Sequence, residues 1–116
     1  MSSQAQELFI SSVEDSDTLL TDLGFCHNST IRKGYATFIA YNKNDTLITF
    51  ILGPSDWHVE IILLTKNKKY EFKDLLGIPS ISQWTTINKF EPTTKETIKD
   101  EVVWFMKFIR FVLTEI

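Results

Sequence analysis

Asp56, His58 and Glu60 stand at alternate positions in "SDWHVEII". On a strand this spacing sends all three side chains to one face. An imidazole beside a carboxylate can relay a proton at neutral pH, so the trio is a candidate for general acid–base work. The solvated side of a strand carries the same residue types, and nothing else in the chain completes a reaction centre. Metal chemistry is poorly served: Cys26, His27 and His58 are the only Cys or His residues. Cys26 and His27 are adjacent, so strand geometry points them apart, and no pair has zinc-site spacing. Serine and threonine are abundant, yet no nucleophile elbow is present. Glycine occurs only at positions 24, 34, 53 and 77, too scattered for a phosphate-cradling loop. The chain reads as a binding module rather than an enzyme, with no cofactor.

Charge placement says more. Glu7, Glu14, Asp15, Asp17 and Asp22 fall in the first 24 residues, which hold no Lys or Arg. Carboxylates on a helix are often a solvated face or dipole complements. A compact acidic ridge also attracts a basic partner and speeds its capture. The net charge of −3 and pI near 5.3 argue against general nucleic-acid binding, which needs a basic footprint.

The elements that would hold these groups follow from hydrophobic period. Phe9, Val13, Leu20 and Leu23 form one helical stripe over residues 4–23, flawed at Ser16. A break near Asp15 would give two shorter helices, and Gly24 is a natural stop. The middle is a meander. "GYATFIAYN" and "TLITFILG" flank a hairpin at Lys43, Asn44 and Asp45, and Pro54 suits the turn "GPSD". "WHVEIILLT", a "KNKK" turn and a short "YEF" follow; residues 25–32 supply a further candidate strand. Val59, Ile61 and Leu63 share one face with Trp57. The opposite face begins polar at His58 and Glu60 and becomes apolar at Ile62 and Leu64. "TLITFILG" is apolar on both faces, which predicts a central strand partly covered on both sides.

"KDLLGIPS" reads as one helical turn ended by Gly77 and Pro79. Residues 80–92 read as an irregular connection tucked down by Trp84, Ile87 and Phe90. Thr93 and Glu96 match a capping box opening the last helix. In that helix Ile98, Val102, Phe105, Ile109, Val112 and Ile116 form the sheet-facing stripe. Trp104, Phe108 and Phe111 form a second stripe, either covered by the N-terminal helix or presented to a partner.

The prediction is a single α+β domain over residues 1–116: an antiparallel meander of four to five strands packed against an N-terminal and a long C-terminal helix. At 116 residues, with 43% hydrophobic and 23% charged, the chain suffices for one core. The lone Cys26 forms no internal disulfide, and the N-terminus lacks the pattern of a signal peptide. The apolar run from Val102 to Leu113 contains Lys107 and Arg110 and falls short of the roughly 18–20 residues that span a bilayer. These features lead us to expect a cytoplasmic protein with no membrane association.

The layout resembles small bacterial immunity proteins encoded beside polymorphic or contact-dependent growth-inhibition toxins. The resemblance lies in the opening amphipathic helix ending in "LGF" (Leu23 to Phe25), the pair "ATFIAYNKNDTLITFIL", then "WHVEIILL", "YEFKDLLGI" and the long apolar final helix. It implies a cytoplasmic, cofactor-free protein that binds one cognate toxin domain, often a nuclease, and blocks its working site. Such families share no universal binding residues. Two partner-binding surfaces are expected from the residues: the ridge Glu14, Asp15 and Asp17, and the turn and strand bearing Asp56, Trp57, His58 and Glu60. Two alternatives stand beside this: a homodimer or adaptor built on Trp104, Phe108 and Phe111, and a small enzyme or ligand carrier with His58 at work.

Overall fold

The computed structural model describes residues 4–34, 36–53, 58–66, 68–89 and 98–116. The order is α1 (Gln4–Ser16), α2 (Thr18–Thr21), β1 (Cys26–Lys33), β2 (Ala36–Lys43), β3 (Thr46–Leu52), β4 (Val59–Thr65), β5 (Lys68–Glu71), α3 (Phe72–Leu75), α4 (Pro79–Ile87) and α5 (Ile98–Glu115). The five strands form one antiparallel sheet in sequence order. The α+β meander between terminal helices is therefore as expected, with all five strands formed.

The opening helix breaks at Asp17. Ser16 Oγ donates back to the Ser12 carbonyl at 2.6 Å, a bond that competes with the helix ladder. The Asp17 carbonyl then accepts the amides of Leu20 and Thr21 and starts α2. Gly24 ends it at φ 96°, with the Phe25 amide reaching the Leu20 carbonyl at 3.2 Å and the Gly24 amide the Thr21 carbonyl at 3.0 Å. This paired closure needs a left-handed residue, which glycine adopts without a Cβ clash. Lys43 Nζ donates to the Leu23 carbonyl, and Arg110 Nη1 to the Leu19 carbonyl at 2.9 Å, so two cations satisfy the end of α2.

One face of the sheet carries the core. Ile39 and Tyr41 of β2, Ile48, Phe50 and Leu52 of β3, and Val59, Ile61 and Leu63 of β4 are all buried there. Over them lie Phe9 and Val13 of α1, Leu20 of α2 and the stripe Ile98, Val102, Phe105, Ile109 and Val112 of α5. The predicted last member of that stripe, Ile116, is exposed, one residue beyond the helix. The Thr93–Glu96 capping box and Phe90 lie outside the described residues.

Two expectations are corrected on the helix side. Residues 79–87 form a helix, α4, not an irregular connection. Pro79 occupies its first turn, where a missing amide and a fixed φ favour a helix start. Trp84 tucks in as expected, but Ile87 is 73% exposed. α4 also resolves the second stripe of α5. Trp84 lies 5.7 Å from Trp104, 5.8 Å from Phe108 and 5.6 Å from Phe111, ring centre to ring centre. Phe72 of α3 adds a contact to Phe108 at 5.2 Å. Phe108 is fully buried, and Trp104 and Phe111 are half-buried. The aromatic stripe is thus internal, covered by α3 and α4. Of the oligomer interface expected at Trp104, Phe108 and Phe111, Phe108 is buried, while Trp104 and Phe111 keep part of their surface exposed.

The short strand β5 begins at Lys68, two residues before the expected "YEF", and Phe72 belongs to α3. The switch is local: the Glu71 amide donates to Asp74 Oδ2 at 2.9 Å, a reciprocal cap that opens the helical turn.

Tyr41 anchors the α1–α2 elbow to the sheet. Its hydroxyl donates to Asp17 Oδ2 at 2.8 Å. Burial, then this bond and the negative charges of Asp17 and Glu14, raise the Tyr41 hydroxyl well above the ordinary tyrosine range. The folded state holds this proton more tightly than the unfolded chain. The contribution is whole below about pH 10 and is lost as pH rises further. Tyr41→Phe is expected to cost about 1 kcal/mol at neutral pH, the usual worth of such a bond. Urea unfolding at increasing alkalinity should show the wild type losing stability faster than the variant.

A candidate interaction face on the outer side of the sheet

The strand period that fills the core also fixes what the other face displays. Across the outer face, Ile31, Phe38, Ile51 and Glu60 stand side by side on β1 to β4. The next row is Ser29, Ala40, Thr49, Ile62 and Glu71, and the third is Cys26, Asn42, Leu47, Leu64 and Lys69. Ile31 and Leu64 are exposed, at 53% and 37%; Phe38, Leu47, Ile51 and Ile62 are half-buried yet stand outside the core cluster. β3 is thus buried on its core face and half-buried on its outer face. Every described helix that packs on the sheet reaches the core face, and no described element lies over Leu47 and Ile51.

The physical reason lies in the helices. α1 packs along α5, while α3 and α4 close its aromatic flank. Most apolar surface of the described helices is thereby used within one layer. At about 4.8 Å between strands and 3.4 Å per residue, the outer face spans roughly 400–500 Å². Thr49, Asn42 and other polar positions share that area, so its apolar part is smaller; apolar side chains gathered on one open face commonly mark a binding surface.

The expected site residues separate. Glu14 and Asp15 are exposed on α1, but Asp17 is half-buried and turned inward to Tyr41. Tyr41 faces the core, so the acidic ridge lies on the helix side of the sheet, away from Glu60 on the outer face. Asp56 and Trp57 fall outside the described residues. His58 does not pair with Glu60. Its Nδ1 lies 3.9 Å from Glu101 Oε2 on α5.

The sequence shows Glu101 only as one of the carboxylates near the start of the last helix; the fold alone brings it to the start of β4. Its Oε1 accepts the Val59 amide at 2.7 Å, and the residue is 8% exposed. Burial raises its pKa above the usual glutamate range; the Val59 amide and the nearby His58 pull the other way. The unfolded chain releases this proton more readily, so the contribution is greatest at low pH and falls as pH rises through the folded value. Glu101→Gln keeps an acceptor for Val59 and removes the buried charge. The variant should be at least as stable as the wild type at pH 7. Its advantage should shrink as pH falls into the ordinary glutamate range, read by denaturant midpoints at each pH.

A hollow of about 350 Å³ opens between Leu23, Phe25, Lys43, Arg110 and Leu113. Both of its cations already donate to backbone carbonyls. No helix among the described residues is long and apolar enough to cross a membrane. No family model, curated protein or solved structure matches the chain.

Proposed function

We propose that this chain is a cytoplasmic toxin-neutralising immunity protein. It binds a single cognate toxin domain, such as a nuclease, and covers that domain's working surface without catalysis, cofactor, nucleic acid or membrane. The observation that carries the proposal is the outer face of the sheet. Six large apolar side chains, Ile31, Phe38, Leu47, Ile51, Ile62 and Leu64, stand outside the core on a rigid surface. A standard interface buries about 800 Å² per partner. The sheet face supplies about half of that, and its rim of Lys33, Glu60, Lys69 and Glu71 supplies polar contacts around it.

The same face favours a second reading, a homodimer joined sheet to sheet, in place of the one expected at Trp104, Phe108 and Phe111. The test is co-expression with the toxin domain encoded beside this chain, followed by affinity capture and sedimentation. A stable one-to-one complex that loses toxin activity supports the immunity reading. A dimer that ignores the toxin supports the second. A monomer that captures neither overturns both.

A further inference from the structure

The strand β4 is paired on only one side along part of its length. β5 reaches it from Ile62 to Thr65. Upstream, Val59, Glu60 and Ile61 pair with Leu52, Ile51 and Phe50 of β3, and no strand lies beyond them among the described residues. The cause is the early exit of the chain into α3, which the Glu71–Asp74 cap enforces.

The Val59 amide shows the direction of the free edge. It points away from β3 and is met by the Glu101 carboxylate at 2.7 Å, where a neighbouring strand's carbonyl would stand. Strand backbone groups repeat every second residue, so the Ile61 amide points to the same side. That edge borders a groove of about 390 Å³, lined by Ile61, Phe72 and Phe105 on its apolar side and Glu60, Glu71 and Lys73 on its polar side. Lys73 lies 3.7 Å from Glu71, so Glu60 is the charge left to face a visitor.

We infer that a short, extended, basic segment of the partner adds to the sheet here as a sixth strand. The open edge supplies backbone hydrogen bonds, as in other cases of strand addition. One apolar side chain of the segment packs on Ile61 beside the touching rings of Phe72 and Phe105, and the residues flanking it present Lys or Arg to Glu60. Glu101 stops the segment at Val59. Glu60 and Ile62 belong both to this groove and to the outer face, so the added strand widens the apolar surface already described. The inference rests on the protein being a partner-binding module and names the part of the partner that binds first.

The test is an amide NMR titration of the whole chain with three synthetic hexapeptides: alternating lysine and valine, alternating glutamate and valine, and a fully N-methylated copy of the first. The basic peptide is expected to shift the amides of residues 60–62 and 71–73. It should bind at least tenfold more tightly than either of the others. Glu60→Lys, an exposed position, should reverse the charge preference and leave Tm unchanged. The inference is overturned by the absence of those shifts at millimolar peptide. Equal binding of the acidic or N-methylated peptide, or an unaltered preference in Glu60→Lys, overturns it equally. A peptide failure with intact toxin capture removes the sixth strand only; peptide binding without toxin capture removes the immunity reading.

Discussion

Ile51→Lys is expected to abolish capture of the cognate toxin domain while moving Tm by only a few degrees. Ile51 is half-buried on the outer face, near the end of the central strand and between Phe38 and Glu60 in register. In the free protein a lysine there lays its stem along the sheet and keeps its ammonium in water. The stability change is then on the order of 1 kcal/mol, or about 4 °C for a domain of this size. In the complex the same ammonium is trapped under a partner. Desolvating that ammonium under a partner, with Glu60 opposite it on β4 offsetting part of the charge, costs about 2–4 kcal/mol, a loss of roughly 30- to 1,000-fold in affinity. Calorimetry of the variant alone and titration against the toxin separate the two effects. Ile48→Lys is the control: Ile48 lies on the same strand, fully buried on the other face, and that substitution should unfold the domain. Toxin capture undiminished in Ile51→Lys would move the binding surface elsewhere.

Phe108→Ala is expected to produce the largest loss of stability among single truncations of the aromatic cluster. Phe108 touches Phe72 at 5.2 Å, Trp104 at 5.3 Å, Trp84 at 5.8 Å and Phe105 at 6.2 Å. It is the point where α3, α4 and α5 meet. A buried phenylalanine cut to alanine costs about 3–5 kcal/mol, through lost transfer energy and the cavity left behind. Domains of this size are stable by about 5–15 kcal/mol, so the variant approaches the unfolding threshold. The urea midpoint should fall sharply and the fluorescence of Trp84 and Trp104 should change, because both rings pack on Phe108. Phe111→Ala should cost less, since Phe111 is half-buried and meets mainly Trp84. Equal losses at the two positions would show that the cluster has no centre.

Much of the architecture was legible in the residues because its causes are local. Gly24 supplies the one backbone conformation that ends α2, and Asn44 turns the β2–β3 hairpin at φ 52°. The alternation of Val59, Ile61 and Leu63 names the core face of β4. α4 is hidden in the sequence because Pro79 reads as a stop when it is a start; proline serves either role, and the deciding signal lies downstream. The cover of Trp104, Phe108 and Phe111 is assigned to the wrong helix for the same reason, since α3 and α4 supply it in place of the N-terminal helix. The role of Glu101 is not legible because its partner is 42 residues away. The outer face was half visible: apolar residues on both sides of β3 were noticed, but a sequence does not say how many layers exist to cover them. The number of helices free to pack decides that, and α1, α3 and α4 are all engaged around α5.

That single-sided arrangement divides the strands by parity. Within β2, β3 and β4, every other position answers to the core, and the positions between answer mainly to their cross-strand neighbours. Side chains such as Phe38, Leu47, Ile51 and Ile62 are therefore open to replacement at a smaller folding cost than the core positions beside them. Recognition on such a scaffold diversifies one residue at a time, and the fold itself acts as a fixed frame behind a rewritable surface.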